Sequence, residues 1–73
     1  MQTHDLAAEL KRRYRQARHG EQVVAIDLLG IEYAEHLSRR PLKEICILAD
    51  ISEAYATELS KARKLASHVE LRK

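Results

Sequence analysis

The stretch from Leu42 to Lys61, LKEICILADISEAYATELSK, constrains the fold of this chain more than any other part of the sequence. Its first half predicts a short helix, and a tight turn is expected to follow it. Ser52 is then placed to cap a second helix. The stretch therefore predicts two short helices that cross closely at a tight turn.

The rest of the chain also predicts helices, because its apolar residues recur at three- and four-residue intervals without the alternation of a strand. A first helix is predicted over Thr3–Arg18 and a second over Glu21–Ser38. Pro41 suits the first position of the next helix, and Arg39 and Arg40 just before it are predicted to reach outward. The final helix is predicted from Ser52 to about Leu71. The expected fold class is all-α, a four-helix domain with a long C-terminal helix.

The second predicted helix contains two residues that are unusual at such positions. Gly30 costs roughly 1 kcal/mol relative to alanine inside a helix, so it predicts a close approach by another helix. The apolar stripe around it is broad, which is typical of a central helix contacted on more than one side. Asp27 lies among apolar neighbours and needs a partner if it is buried. An arginine of the first helix is the predicted partner.

The length of the chain and its cysteine content limit the classes of protein to which it can belong. The 73 residues predict a single domain over residues 1–73, with a core that is marginal on its own. The single cysteine, Cys46, cannot form an internal disulfide, and its position predicts a small buried apolar residue. There is no long apolar run and no signal peptide pattern, so the chain is expected to be cytoplasmic and not membrane-bound.

The distribution of charge is more informative than the net charge of +2. Residues 1–20 carry five Lys or Arg against two Asp or Glu, and residues 39–73 carry eight against five, so each end has a net charge of +3. Residues 21–38 carry four acidic side chains and no Lys or Arg. Basic ends of this kind are suited to phosphate contacts.

The pattern of residues 42–61 resembles the bacterial helix-turn-helix DNA-binding superfamily. The positions of that motif are filled in order by Ile45, Cys46, Ala49, Asp50, Ile51, Ser52, Ala56 and Leu59. Asp50 departs from the glycine that is usual at the turn. The resemblance implies that the second helix of the motif enters the major groove of double-stranded DNA. The apolar stripe of the long final helix, which the rest of the chain does not cover completely, further predicts either a homodimer surface or packing against the first helix.

The outward face of the second motif helix, with the basic residues near it, forms the predicted DNA-binding set. Thr57 can contact a phosphate or a thymine methyl group, and a glutamate can accept a hydrogen bond from cytosine N4. Tyr55 can contact a phosphate or pack in the core. Glu53 and Glu58 weigh against DNA, because each repels phosphate. The complete set is Arg39, Arg40, Lys43, Ser52, Glu53, Tyr55, Thr57, Glu58, Lys61 and Lys64. For any single charged member, a solvated surface side chain is the simpler interpretation.

No catalytic or metal site is predicted. Glu32 and His36 share a helix face, but two ligands do not make a metal site. No glycine-rich phosphate loop is present, and no nucleophile has a companion base, so neither enzyme activity nor a cofactor is expected.

Two functions therefore remain open. The leading hypothesis is a small sequence-specific DNA-binding protein, a homodimeric transcriptional regulator of bacterial type. The alternative is a protein-interaction module, such as an antitoxin or an accessory subunit, that uses the same scaffold without DNA. The two glutamates at positions 53 and 58 favour that alternative.

Overall fold

In the computed structural model, which describes residues 2–69, the chain is all-helical. Its helices are α1 (Thr3–Gln16), α2 (Gln22–Glu32), α3 (Ala34–Leu37), α4 (Leu42–Leu48) and α5 (Tyr55–Leu65). Residues 2–69 contain no β-strand, which confirms the predicted all-α class. The helices number five rather than four over these residues, because the second predicted helix is divided in two.

The first helix lies close to its predicted bounds. Asp5 closes its first turn by accepting a hydrogen bond of 2.9 Å from the Gln2 backbone N–H. Leu6 and Leu10 are fully buried and pack in the common core. The helix contacts both α2 and α4, so it holds the two halves of the chain together.

The predicted helix over residues 21–38 is wrong as a single element, because it breaks at Tyr33. The backbone there has φ −107° and ψ 25°, outside the helical range, and the four-residue α3 follows. The break allows Leu37 of α3 to be fully buried. Neither glycine nor proline stands at this point, so the sequence carries no local signal for it.

The core is built where α2 crosses α5. A β-carbon added at Gly30 would lie 2.6 Å from the β-carbon of Ala62 and 3.4 Å from the carbonyl oxygen of Leu59. This confirms the predicted close approach of another helix at Gly30. The buried apolar residues are Leu6, Ala7, Leu10, Ile26, Leu29, Leu37, Ile45, Cys46, Ala49, Ala56, Leu59 and Ala62.

The last helix is shorter than predicted. It begins at Tyr55 rather than Ser52 and ends at Leu65, and turns follow it as far as His68. The predicted end near Leu71 lies outside the described residues. Two apolar residues of the stripe on which the dimer prediction rests, Leu65 and Val69, are exposed, and the dimer stays a prediction. Over residues 2–69, no helix combines the length and the apolar character that crossing a membrane requires.

Candidate nucleic-acid interface

The turn between α4 and α5 is closed by backbone hydrogen bonds around Asp50. Asp50 has φ 62°, in the left-handed region. Its N–H donates to the Ile47 carbonyl at 3.0 Å, and the Ile51 N–H donates to the Cys46 carbonyl at 3.0 Å. Together these bonds form a Schellman motif, which satisfies the last carbonyls of a helix. The predicted role of Asp50 as the turn residue is confirmed.

Ile51 fixes the angle at which the chain leaves this turn. It is partly buried and packs against the core, as predicted for the residue that follows the turn. Cys46 and Ala49, predicted as small core residues of the first motif helix, are both buried. Small side chains at these positions let α4 and α5 approach closely.

Ser52 lies in a single turn that precedes α5 rather than at the helix cap. Its hydroxyl accepts a hydrogen bond of 3.2 Å from the Ala54 N–H, and its carbonyl accepts one of 3.1 Å from the Tyr55 N–H. The hydroxyl thus satisfies a backbone donor, as a cap does, but the helix itself starts three residues later. The predicted helix start was therefore wrong, although a polar side chain was needed at this position.

Tyr55 does not lie on the outward face of α5. Its ring is half-buried and lies 5.8 Å from the ring of Tyr14, with the two planes inclined by 58°. This pair fastens the start of α5 to α1. Of the two alternatives for Tyr55, packing is the one the structure shows.

Four of the predicted DNA-binding residues converge on one surface. A groove of about 490 Å³ runs between the start of α4 and the exposed face of α5. Its walls are Leu42, Lys43, Ala56, Thr57, Ser60, Lys61 and Lys64. We call this surface the lysine groove. Thr57 and the three lysines were predicted from sequence. Ser60 was missed, although it shares the helical spacing of Thr57, Lys61 and Lys64.

Glu58 faces α2 instead of the outside, so its predicted position on the outward face is wrong. Its side chain is 26% exposed, and its Oε2 lies 3.0 Å from Lys61 Nζ. It also contacts the half-buried Asp27 of α2. The outward face of the second motif helix therefore carries one acidic residue fewer than predicted.

The contact between Asp27 and Glu58 brings two carboxyl groups together. Burial and the hydrogen bond to Glu58 raise the pKa of Asp27. Hydrogen bonds from Lys61 and Asp27 lower the pKa of Glu58. Asp27 thus holds a proton more tightly than an ordinary aspartic acid. The predicted arginine partner for Asp27 is wrong.

The arginine nearest to α2 is instead part of an ion-pair network with other acids. Arg13 contacts Glu32 Oε2 at 2.7 Å and Glu9 Oε2 at 3.0 Å, and its guanidinium lies 5.3 Å from the centre of the Tyr33 ring. Arg12 pairs with the same Glu9 at 2.7 Å. Hydrogen bonds from the two arginines, led by that from Arg12, lower the pKa of Glu9 to about 2.

Arg39 and Arg40 separate in the structure, although both were predicted to reach outward. Arg39 is exposed and has φ 63°, a left-handed backbone. Arg40 turns inward: its guanidinium donates to Thr3 Oγ1 at 3.0 Å and to the His36 carbonyl. It thereby ties the loop before α4 to the start of α1. The outward prediction is wrong for Arg40.

Glu53 is exposed in the turn that leads into α5, as predicted. It is the acidic residue of the predicted set that stays on the solvent side of this region. Within residues 2–69, no group of three or more His, Cys, Asp or Glu side chains is arranged to hold a metal ion.

Two close-crossing helices joined by a left-handed Schellman turn, with a basic groove on the second, define a helix-turn-helix-like domain. The chain belongs to the HTH-like domain family, whose model matches residues 2–72. No curated protein and no solved structure matches the chain significantly. A fold of this class is typical of DNA-binding and regulatory proteins.

Proposed function

We propose that this chain binds double-stranded DNA, with α5 in the major groove and the lysine groove against the phosphate backbone. The observation that carries the proposal is the convergence of Lys43, Lys61 and Lys64 beside Thr57, on the exposed side of the second motif helix. Three lysines line this surface, and Lys43 and Lys64 add positive charge to it beside the Lys61–Glu58 pair, which favours a polyanion even though the whole chain carries only +2.

The inward position of Glu58 also supports this function. Two glutamates on the outward face were the main sequence argument against DNA. Glu58 instead leans toward Asp27 of α2 and pairs with Lys61 at 3.0 Å. Thr57 and Ser60 supply hydroxyls between the lysines, and hydroxyls commonly donate to phosphate or base edges. A role as a transcriptional regulator without enzymatic activity forms part of the proposal.

Fluorescence anisotropy with a labelled duplex of about 25 base pairs, titrated over salt, tests the proposal. Binding is expected to weaken steeply as salt rises, because each neutralised phosphate releases counterions. Replacing Lys61 or Lys64 by alanine should reduce the slope of log K against log salt by about 1 for each lysine.

Lys11→Ala is the matched control, because Lys11 lies on α1 and does not line the groove. It should change the slope less than either groove variant. Absence of binding at low salt, or equal effects of all three substitutions, would contradict the assignment of the groove.

The protein-interaction alternative is favoured by the exposed Glu53 at the start of α5. The two functions differ in the effect of Glu53→Gln. If this turn lies against DNA, removing the charge should strengthen binding to a random duplex by roughly threefold, about 0.7 kcal/mol. If the turn meets a protein, affinity for DNA should be unchanged.

A further inference from the structure

A second cleft lies next to the lysine groove, between α3 and the C-terminal end of α5. Its volume is about 630 Å³, and it is open to solvent rather than enclosed. Its polar walls are Glu35, Ser38, Arg63, Lys64 and Ser67. We call it the arginine cleft. Lys64 lines both the arginine cleft and the lysine groove, so the two surfaces are continuous along α5.

Arg63 is held in place at this cleft and still has hydrogen-bond donors without acceptors. It is partly buried, and its Nη1 donates to the Leu37 carbonyl at 3.3 Å. A guanidinium carries five N–H donors in one plane. Over residues 2–69, the Nε and Nη2 donors of Arg63 have no acceptor. The backbone of α3 therefore orients the guanidinium, while the edge that matches two oxygens of a phosphate or carboxylate stays open.

The positive charge of the arginine cleft is not neutralised by ion pairs within the described part of the chain. Neither Arg63 nor Lys64 takes part in an ion pair there. These two residues contribute +2 and the exposed Glu35 contributes −1, so the wall carries a net charge of +1. The hydroxyls of Ser38 and Ser67 lie on the same wall. A guanidinium, an ammonium and two hydroxyls together favour an anion with several oxygens.

The open form of the cleft suits the backbone of DNA better than a small molecule. Sites for small molecules bury about 70% or more of the ligand surface, which an open cleft does not do. Thr57 of the lysine groove and Arg63 are six residues apart on α5, about 9 Å along the helix axis. A DNA strand carries one phosphate per 3.4 Å of axis, roughly, so one strand can place successive phosphates against both surfaces.

We propose that the arginine cleft is a second phosphate-binding site, in which Arg63 and Lys64 hold the backbone of the same duplex that the lysine groove contacts. The DNA strand would then follow the side of α5 from Thr57 to Ser67. The inference rests on the proposed function, because its ligand is the same duplex. Glu35 lies on the wall of the cleft and weakens the contact by repelling phosphate.

Salt titrations of duplex binding, followed by fluorescence anisotropy, test the cleft separately from the groove. Arg63→Gln should reduce the slope of log K against log salt by about 1, because one phosphate contact is lost. Its matched control is Arg18→Gln, which removes the same charge from an exposed arginine outside both surfaces. The control should change the slope less.

Glu35→Gln should act in the opposite direction. Removing the acidic side chain from the wall is expected to strengthen binding to a random duplex by roughly threefold. Glu21→Gln is the control, because Glu21 is exposed and lines neither surface. It should leave affinity closer to the wild-type value.

A further variant keeps the test valid if the loss of the Leu37 contact unfolds Arg63→Gln. Ser67→Glu leaves Arg63 in place and adds a negative charge at an exposed position of the cleft. It should weaken DNA binding more than Ala8→Glu, which adds the same charge on α1 outside both surfaces. Far-ultraviolet circular dichroism verifies that each variant is folded.

The possible failures are distinguishable. A wild-type chain that does not bind the duplex at low salt would overturn the proposed function and the cleft together. Salt-dependent binding by the wild type, with folded cleft variants equal to their controls, would overturn the cleft alone. Inorganic phosphate that shifts the Arg63 Nε–H resonance, while the cleft substitutions leave DNA affinity unchanged, would assign the cleft to a small phosphorylated molecule and overturn its role in DNA binding.

Discussion

The β-carbon that alanine would add at position 30 falls 2.6 Å from the β-carbon of Ala62. Real β-carbons do not approach so closely, and the alanine methyl group has no rotamer by which to move away. Helices α2 and α5 therefore cross at a point where neither can carry a larger side chain. The crossing positions α5, and with it the lysine groove, relative to the core.

Gly30→Ala is expected to destabilise the protein by about 1–3 kcal/mol, as overpacking does. The sign of this change in the free energy of unfolding is informative, because alanine would stabilise the helix by roughly 1 kcal/mol if space were available. Urea denaturation followed by circular dichroism measures the difference. In the double variant Gly30→Ala with Ala62→Gly, at least half of the lost stability should return. A single variant more stable than the wild type would contradict the close crossing.

Asp50→Gly is expected to stabilise the protein by about 0.5 kcal/mol, because glycine adopts the left-handed conformation without steric penalty. Arg15 lies 4.0 Å from Asp50 in an exposed pair, so its loss should matter little. Asp50→Ala, by contrast, should destabilise by about 1 kcal/mol. Chemical denaturation of the three proteins under one condition tests this order, and a glycine variant less stable than the alanine variant would refute it.

The Glu9 network predicts a loss of stability in acid. The pKa of Glu9 is lowered to about 2 from an ordinary value of 4.5, so its carboxylate stabilises the fold above pH 4.5. That contribution is lost as the pH falls from 4.5 toward 2. Glu9→Gln should therefore be less stable than the wild type at pH 7, by about 1–2 kcal/mol, and equally stable near pH 2.

The control for this experiment is Glu44→Gln, which alters an exposed glutamate of α4. Its stability should stay within about 0.5 kcal/mol of the wild type at both pH values. A pH profile of Glu9→Gln that runs parallel to the wild type would show that the arginine contacts do not act on folding.

Asp27→Asn is expected to stabilise the protein near neutral pH. The folded-state pKa of Asp27 is raised, so its stabilising contribution is complete below the ordinary aspartic acid pKa and is lost as pH rises through the raised value. Asparagine keeps a donor toward Glu58 at every pH, which should contribute about 0.5–1.5 kcal/mol. The difference in the free energy of unfolding between Asp27→Asn and the wild type should be smaller at about pH 3 than at about pH 7. A difference that does not depend on pH would exclude proton sharing with Glu58.

Features that depend on local backbone geometry were predictable from the sequence. Asp50 was identified as the turn residue because it occupies the motif position that requires a residue tolerant of positive φ. Gly30 was identified as a crossing point because glycine destabilises the interior of a helix, and close approach by another helix is what requires it there. Ile45, Cys46 and Leu59 were assigned to the core by their positions in the resembled helix-turn-helix motif, and all three are fully buried. In each case the residue type itself carries the signal, even at Gly30, where the contact is with Ala62 of another helix.

Features that depend on where a second helix lies were not predictable in this way. Glu58 and Thr57 are neighbours in sequence, but α2 packs on one side of α5 only, so the first faces Asp27 and the second faces the groove. Arg40 turns inward because the start of α1 offers Thr3 as an acceptor. The break at Tyr33 likewise serves the burial of Leu37. Each of these features depends on how the helices pack, and the neighbouring residues in the sequence do not determine that.

The complete burial of Cys46 gives the chain its own reporter of unfolding. It is the single cysteine of the sequence, its exposure is zero, and burial raises the pKa of its thiol. A thiol-specific reagent can therefore react only after the core around α4 has opened. The rate of alkylation in native buffer then measures the free energy of that opening without denaturant or added probe. Every stabilising or destabilising substitution discussed above can be ranked by this one chemical reaction.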